Sequence, residues 1–368
     1  MRPFLKFIVP ALLVVGVAAC GSDSDGDEAD ANAVDGGSSD VLTVDSAAVA
    51  ESVAPLATEG SAEMIEVEGA YGPVEIPADP QRIVADLMTV DYLTALGYDT
   101  SKIIGVFEAD WFSAIDDHYL ADFFAEQQPL DPGPQWDVNL EALAAAEPDL
   151  IIAPFDQLDR SPMLEQIKQI APTLVIPTSE GEDPEGRYGG TASFQDWRST
   201  IRSYGSVLGL EEEAEAYVAE SEAELAALEA EYGDLIAATR ATEAKSTPDS
   251  MAINVLSANS ERGVLGSILM SELGFTAPDS QAGLQPDEYG TIELSSENVN
   301  LLDGDLLFLE VRGDATGHSD SPLWDTLGVV QADNVVIVGN HWEYGGAVAA
   351  RDVIADLRAA LETYAAKS

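Results

Sequence analysis

The sequence predicts an α/β protein of two lobes with mostly parallel sheets, joined by a single long spine helix, with a ligand cleft between the lobes. Three observations predict it. Short continuous apolar runs alternate with helical stretches, the mark of parallel strands covered on both faces. That alternation occurs twice, on either side of the longest helical stripe in the chain. The length of 368 residues suits two domains better than one, at about 150 residues per domain.

In chain order, residues 1–19 read as an export signal peptide. Arg2 and Lys6 supply its positive start, and the apolar stretch from Phe7 to Val17 ends in small residues. At about 11 residues that stretch is too short to span a bilayer. Residues 20–63 are Gly, Ser, Ala and acid without any period, a self-repelling flexible linker. Order is expected from Met64, where Ile65-Glu66-Val67-Glu68 alternates, meets Gly72-Pro73 and continues as Val74-Glu75-Ile76-Pro77, a hairpin. The N-terminal lobe, 64–207, then takes strands at Ile83 to Leu87, Ile103 to Phe107, Leu150 to Ala153 and Thr173 to Ile176. Its helices are expected at Thr89 to Leu96, Leu140 to Ala146 and Met163 to Ala171.

In the spine region, 208–245, Leu210, Ala214, Tyr217, Ser221, Leu225, Leu228, Tyr232 and Leu235 recur at steps of four and three. A helix of about 30 residues would run ~45 Å at about 1.5 Å per residue and would limit hinge closure. Its Ala, Ser and Tyr content argues against a coiled-coil seam, so a monomer is expected. The C-terminal lobe, 246–368, takes strands at Met251 to Val255, Leu306 to Val311 and Asn334 to Val338. Helices are expected there at Gly266 to Leu273, Ser321 to Leu327 and Ala347 to Ala366.

Composition excludes several functions. Against 16 Lys and Arg stand 67 Asp and Glu, a net charge of −51, which repels nucleic-acid phosphates and anionic lipid alike. With 46% hydrophobic residues the chain still has ample material for a core, so wholesale disorder is excluded. Cys20 is the only cysteine, which rules out an internal disulfide, a Cys-rich zinc site or a redox pair. No GxSxG, SxxK or HExxH motif is present, so no catalytic residue is assigned and no enzyme is expected. The only histidines, His118, His318 and His341, are spread over both lobes, which argues against a bare-metal site. There is no Gly-rich phosphate loop ending in Lys-Ser or Lys-Thr, so ATP is not hydrolysed by this chain.

Each lobe repeats one local pattern. Asn139-Leu140-Glu141 opens a helix that ends at Glu147-Pro148, and Asp149-Leu150-Ile151-Ile152 begins a strand. Ser295-Ser296-Glu297 opens a helix that ends at Asp303-Gly304, and Asp305-Leu306-Leu307-Phe308 begins a strand. An acid in the first turn suits the helix dipole, and capping alone accounts for either Glu. A helix running back against the strand that follows it also sets each Glu level with that strand's carboxyl end, the edge where open α/β sheets bind ligands.

These features, in this order, resemble the substrate-binding lipoproteins of bacterial ABC importers that take up ferric siderophores, haem or cobalamin. The resemblance rests on Val17-Ala18-Ala19-Cys20 as a lipobox, on Gly72 to Pro77 followed by Pro80-Gln81-Arg82-Ile83-Val84, and on the Asn139 and Pro148 segments. Pro322-Leu323-Trp324 with Asn334-Val335-Val336 completes it. It implies lipidation at Cys20, tethering to the extracytoplasmic face of the membrane, and a partner permease dimer with ATPase subunits. It also implies that Glu141 and Glu297, one per lobe, dock onto that permease. The ligand implied is a ferric siderophore complex, with cobalamin or haem as alternatives. No cofactor is expected, since iron would be held only inside the bound chelate. The runner-up from another class is an anchored enzyme such as a hydrolase, for which no nucleophile motif is present, and a third reading is a sensory or partner-binding lipoprotein of the same fold.

An anionic, partly aromatic ligand needs cations and ring faces in its cleft. Arg312 directly follows the strand Leu306 to Val311. Arg160 lies in the loop after Leu150 to Ala153, Arg262 in the segment after Met251 to Val255, and Arg187-Tyr188 in a Gly-rich loop before the spine. The other reading of each arginine is an ion pair with one of the many acids. Trp111 follows the strand ending at Phe107, and His341-Trp342 follows the strand ending at Val338, so both aromatic groups stand at strand carboxyl ends. For Trp111 and Trp342 the other reading is an anchor folded onto its own lobe. Trp324, within a helix, reads as core. The excess of acid over cations disfavours strongly anionic tris-catecholates and favours hydroxamates or mixed siderophores.

Overall fold

The computed structural model describes residues 63–115, 118–154, 162–176, 196–256, 264–287, 290–343 and 345–367. The hairpin is present as β1 (Met64–Gly69) and β2 (Gly72–Pro77), antiparallel, with Gly69 opposite Gly72 at the turn. Gly72 takes φ +97°, the left-handed region a glycine enters without strain.

The N-terminal lobe then runs β3 (Ile83–Ala85), α1 (Leu87–Ala95), β4 (Ile103–Val106), α2 (Ala109–Ser113), α3 (Ala121–Gln127), α4 (Leu140–Ala145), β5 (Leu150–Pro154), α5 (Leu164–Ile167) and β6 (Thr173–Ile176). Its four strands are all parallel, in the order β4-β3-β5-β6. Strand residues alternate between two cores. Leu150 and Ile152 face an inner cluster with α1, while Ile151 and Ala153 face an outer one with Leu143 and Ile167. Two-sided burial is why these strands read as continuous apolar runs.

Two helices carry the chain across: α6 (Trp197–Leu208) and α7 (Glu211–Ala238). The latter has 28 residues, or about 42 Å at about 1.5 Å per residue. Its buried residues Ala214, Ser221, Leu225 and Leu228 belong to the predicted stripe, and Leu210, Tyr217, Tyr232 and Leu235 pack at its margins. Acids at Glu211, Glu212 and Glu213 fill its first turn, where the macrodipole favours them.

The C-terminal lobe holds β7 (Ala241–Ser246), β8 (Met251–Asn254), α8 (Leu265–Leu273), β9 (Thr291–Leu294), β10 (Leu306–Val311), α9 (Gly328–Gln331), β11 (Val335–Val338) and α10 (Ala347–Ala365). Its order is β11-β10-β7-β8-β9. Here the sheet departs from the expectation of mostly parallel strands, because β8 pairs antiparallel with both β7 and β9. The reason is local: β7 and β8 are joined by Thr247–Ser250, whose mutual hydrogen bonds close a tight hairpin turn that only antiparallel strands can use. Strand β7 also occupies residues expected to belong to the spine.

Three expected helices shrink, the first being Met163 to Ala171, which keeps only α5, Leu164–Ile167. The segment opening at Ser295 is a turn followed by a short 3₁₀ stretch, Val299–Leu302, and Ser321 to Leu327 keeps only a 3₁₀ turn, Trp324–Thr326. In the last case Pro322 has no N–H to give, and Leu327 turns extended (ψ 135°) before the next helix.

The internal repeat has a shared structural use at the amino ends of the strands. Asp149 accepts the backbone N–H groups of Gln81 (2.8 Å) and Arg82 (2.9 Å), clasping the start of β3 to that of β5. Asp305 accepts the N–H of Arg240 (2.7 Å) and so aligns β7 with β10. Each aspartate's own N–H returns to the same neighbour's carbonyl, Arg82 and Arg240 respectively.

The inner core is continuous through both lobes. It runs from Ile76, Tyr92 and Ile152 through Leu225 and Leu228 of α7 to Phe308, Trp342 and Leu357. Separate outer cores back each sheet.

Candidate functional site

The carboxyl ends of the parallel strands carry the polar chemistry. On the inner face of the C-terminal sheet, Ala241, Leu306 and Phe308 give way along the strands to Glu243, Lys245 and Glu310. Lys245 Nζ lies 2.7 Å from Glu343 Oε1. Arg312 donates through Nε to Glu310 Oε1 at 2.7 Å, reaches its second oxygen at 3.4 Å, and donates through Nη2 to Glu343. Arg312 thus stands where the sequence places it, yet its guanidinium bridges two glutamates. Burial pushes the Glu310 carboxyl up, against the pull of Arg312.

Beneath this mesh Glu243 is buried, with Asn254 Nδ2 at 3.5 Å from its Oε1. Burial raises its carboxyl well above the usual range. Glu243 Oε2 and Asn254 Oδ1 have no partner among the described residues.

The turn after β11 corrects one expectation. Trp342 is 1% exposed, stacked on Phe308 at 4.7 Å, and its Nε1 donates to Asp356 Oδ2 at 2.9 Å. It is core, because Gly266 of α8 leaves the space its ring fills. His341 shares the same carboxylate oxygen (2.9 Å), and its ring faces Tyr119 of the N-terminal lobe at 6.4 Å.

On the N-terminal lobe Trp111 projects from α2, 51% exposed and edge-on to Phe112. Rings continue inward from Phe112 to His118 (6.0 Å) and from His118 to Tyr119 (4.8 Å, stacked). His118 Nδ1 accepts the Leu120 N–H, which leaves the ring proton on Nε2. Burial, with His341 nearby, lowers its pKa to about 4, so it is neutral at physiological pH. His318 instead packs against Trp324, which is partly buried at the outer core.

Sequence reasoning missed the joint between the lobes. Asp91, buried in α1, accepts the backbone N–H groups of Gly346 (3.0 Å), Val348 (2.8 Å) and Ala349 (3.2 Å) at the start of α10. It supplies from the other lobe the cap that α10 lacks, and burial still raises its carboxyl to about 6. Gly346 fits there because a Cβ would stand 2.6 Å from the Tyr92 ring. An acid in the middle of the apolar run Leu87 to Leu96 was the available signal.

The predicted docking residues are both exposed. Glu141 lies in the first turn of α4 behind the cap of Asn139, whose Oδ1 accepts the Ala142 N–H at 3.0 Å. Glu297 is not in a helix: it sits in the turn closed by the Asn298 N–H on the Ser295 carbonyl (2.9 Å). Cys20, Arg160, Arg187, Tyr188 and Arg262 lie outside the described residues. Among the described residues no helix is long and apolar enough to cross a membrane, and no three His, Cys, Asp or Glu converge to hold a metal ion.

Comparison with known proteins places this architecture. The chain is 22% identical over 284 residues to the iron(3+)-hydroxamate-binding protein YxeB of Bacillus subtilis, covering 75% of this chain and 78% of that protein. It is 26% identical over 288 residues to the ferric enterobactin-binding periplasmic protein FepB of Escherichia coli, covering 75% and 84%. Among solved structures, the petrobactin-binding protein YclQ of Bacillus subtilis shares the fold with a TM-score of 0.61 at 18% identity, covering 82% of this chain and 99% of that one. Residues 84–339, from the first parallel strand to the end of the last, match the family model described as periplasmic binding protein, and the chain belongs to that family of binding proteins.

Proposed function

We propose that this protein captures a ferric siderophore complex outside the cytoplasmic membrane and delivers it to an ABC permease, with no chemistry of its own. The observation that carries this reading is the pairing of two strand-end surfaces across one joint, in a chain of the periplasmic binding protein family. One surface presents exposed Trp111, with Phe112 and then neutral, buried His118 behind it, and the other presents His341 with the Lys245, Glu343, Arg312 and Glu310 mesh. Arg160, Arg187, Tyr188 and Arg262 would add contacts from their loops. Iron enters and leaves as cargo inside its chelate, and no resident cofactor is required.

In this reading the mature chain begins at lipidated Cys20, and the acidic linker spaces the lobes from the membrane. The loaded protein docks through Glu141 and Glu297 on two equivalent permease subunits, and partner subunits hydrolyse ATP. Closure is small, because α7, α10 and the shared core brace the lobes.

Tryptophan fluorescence titrated with ferric hydroxamates, ferric catecholates, ferric citrate, haem and cobalamin, with iron-free chelators as controls, tests the reading. Saturable quenching by an iron-loaded complex is expected, and silence towards every ferric complex in the folded protein refutes it. For docking, the double variant Glu141→Arg, Glu297→Arg should abolish cellular uptake while ligand affinity stays unchanged. Normal uptake by that variant would point to a sensory lipoprotein instead.

A further inference from the structure

Membership of the family leaves the charge of the ligand open. We infer that Glu343 and Glu310 set it: by neutralising Lys245 and Arg312 at the carboxyl edge of the C-terminal lobe, they select an uncharged ferric complex, such as a trihydroxamate, over a trianionic tris-catecholate. This rests on the siderophore reading above.

The argument is one of charge and place. Lys245 ends β7, Arg312 follows β10 and Glu343 follows the turn after β11, so all three stand at the ligand edge of one sheet. Their side chains are 20%, 25% and 12% exposed, heads at the surface and stems packed, while Glu310 is 5% exposed beneath them. Two cations are matched by two carboxylates within direct bonding distance. Glu343 is the shared element, one oxygen on Lys245 and the other on Arg312.

An approaching trianion meets cations already bonded to carboxylates, whose repulsion offsets the cations' attraction. To bond the cations directly it must displace Glu343, leaving a partly buried carboxylate without partners. A neutral complex asks for no such exchange. Hydroxamate and amide oxygens on its surface can accept from N–H groups that remain paired. The N-terminal lobe agrees in kind: Trp111 offers exposed ring surface, and His118, stacked on Tyr119 behind it, is held neutral by burial.

The test titrates the purified protein and two variants with a ferric trihydroxamate and a ferric tris-catecholate at low salt, following fluorescence, with melting temperature as the check on folding. The unaltered protein should bind the trihydroxamate at least about tenfold more tightly. Glu343→Gln, which releases Lys245 and leaves Arg312 paired with Glu310, should narrow that ratio by about fivefold or more through tighter tris-catecholate binding. Lys245→Gln should widen it. Preference for the tris-catecholate by the unaltered protein, or a ratio untouched by both folded variants, overturns the inference while leaving the siderophore reading intact. Binding of neither complex would overturn both. If Glu343→Gln does not fold, Lys245→Gln alone decides, with an unchanged ratio counting against.

Discussion

Asp91 offers the sharpest quantitative test of the joint between the lobes. Its carboxylate takes three backbone N–H groups from α10, yet burial still wins and lifts its pKa from the ordinary 3.8 to about 6. At 1.36 kcal/mol for each tenfold change in proton affinity, that rise is worth about 3 kcal/mol between the two charge states. An acid whose folded pKa is raised holds its proton more tightly in the fold than in the unfolded chain. Its contribution is therefore complete below pH 3.8, is lost as pH climbs to about 6, and is flat above. Many other acids titrate in the same window, but they are common to the protein and an Asp91→Asn variant, so subtraction isolates this one. Urea unfolding of both at pH 4, 5, 6 and 7 measures it. The stability of the protein minus that of the variant should fall by about 2 to 3 kcal/mol from pH 4 to pH 7, nearly all of it below pH 6.5. Parallel curves would mean that Asp91 is not buried against α10 as described.

Three further outcomes are expected. Gly266→Ala should destabilise the fold by about 3 kcal/mol or more, because a Cβ there overlaps the Trp342 ring and comes within 2.9 Å of Glu243 Oε1; a variant of unchanged melting temperature would remove Trp342 from the core. Trp111→Ala should leave stability within about 0.5 kcal/mol while weakening ligand binding about tenfold, read by fluorescence and denaturation together; unchanged affinity would make Trp111 a mere surface residue. With a net charge of −51 the folded chain repels itself, so its melting temperature should rise by several degrees as NaCl goes from about 0.05 to 0.5 M. A flat or falling curve would show that the acids are already balanced locally.

Much of the fold was legible because it rests on local periodicity. Strands β3 to β6 are apolar on both faces, and the stripe of α7 repeats through eight turns or so. Strand β7 escaped because its sequence, Ala-Thr-Glu-Ala-Lys-Ser, places Glu243 and Lys245 where a buried strand normally carries Val or Ile. Those two polar residues belong to the strand-end group on which the proposed selectivity rests, so the strand hardest to read is the one nearest the proposed site. Arg312 could be placed at a strand end from its position alone. Its partner Glu343, 31 residues away, could not, since ion pairs between distant strands leave no periodic trace. Trp111 and Trp342 looked alike in sequence, each just past a strand. What separates them is whether anything lies opposite: Phe308 and Gly266 make room for Trp342 in the core, while Trp111 on its short helix stays 51% exposed.

The turn that carries Glu343 is flanked by fixed points on both sides. Trp342 is stacked on Phe308 and bonded to Asp356, and three residues beyond Glu343 the N–H of Gly346 is held by Asp91 of the other lobe. Tyr217 of α7 donates to the Ala347 carbonyl (3.0 Å), and Arg351 lies over the Tyr217 ring at 3.6 Å, so the start of α10 is pinned to the spine as well. The backbone that carries Glu343 is thus flanked by fixed points, with its carboxylate held by Lys245 and Arg312. The neutral wall is therefore preorganised before any ligand arrives, and discrimination by charge does not wait for the lobes to close. That suits a receptor braced against large motion, in which a rigid wall does the selecting.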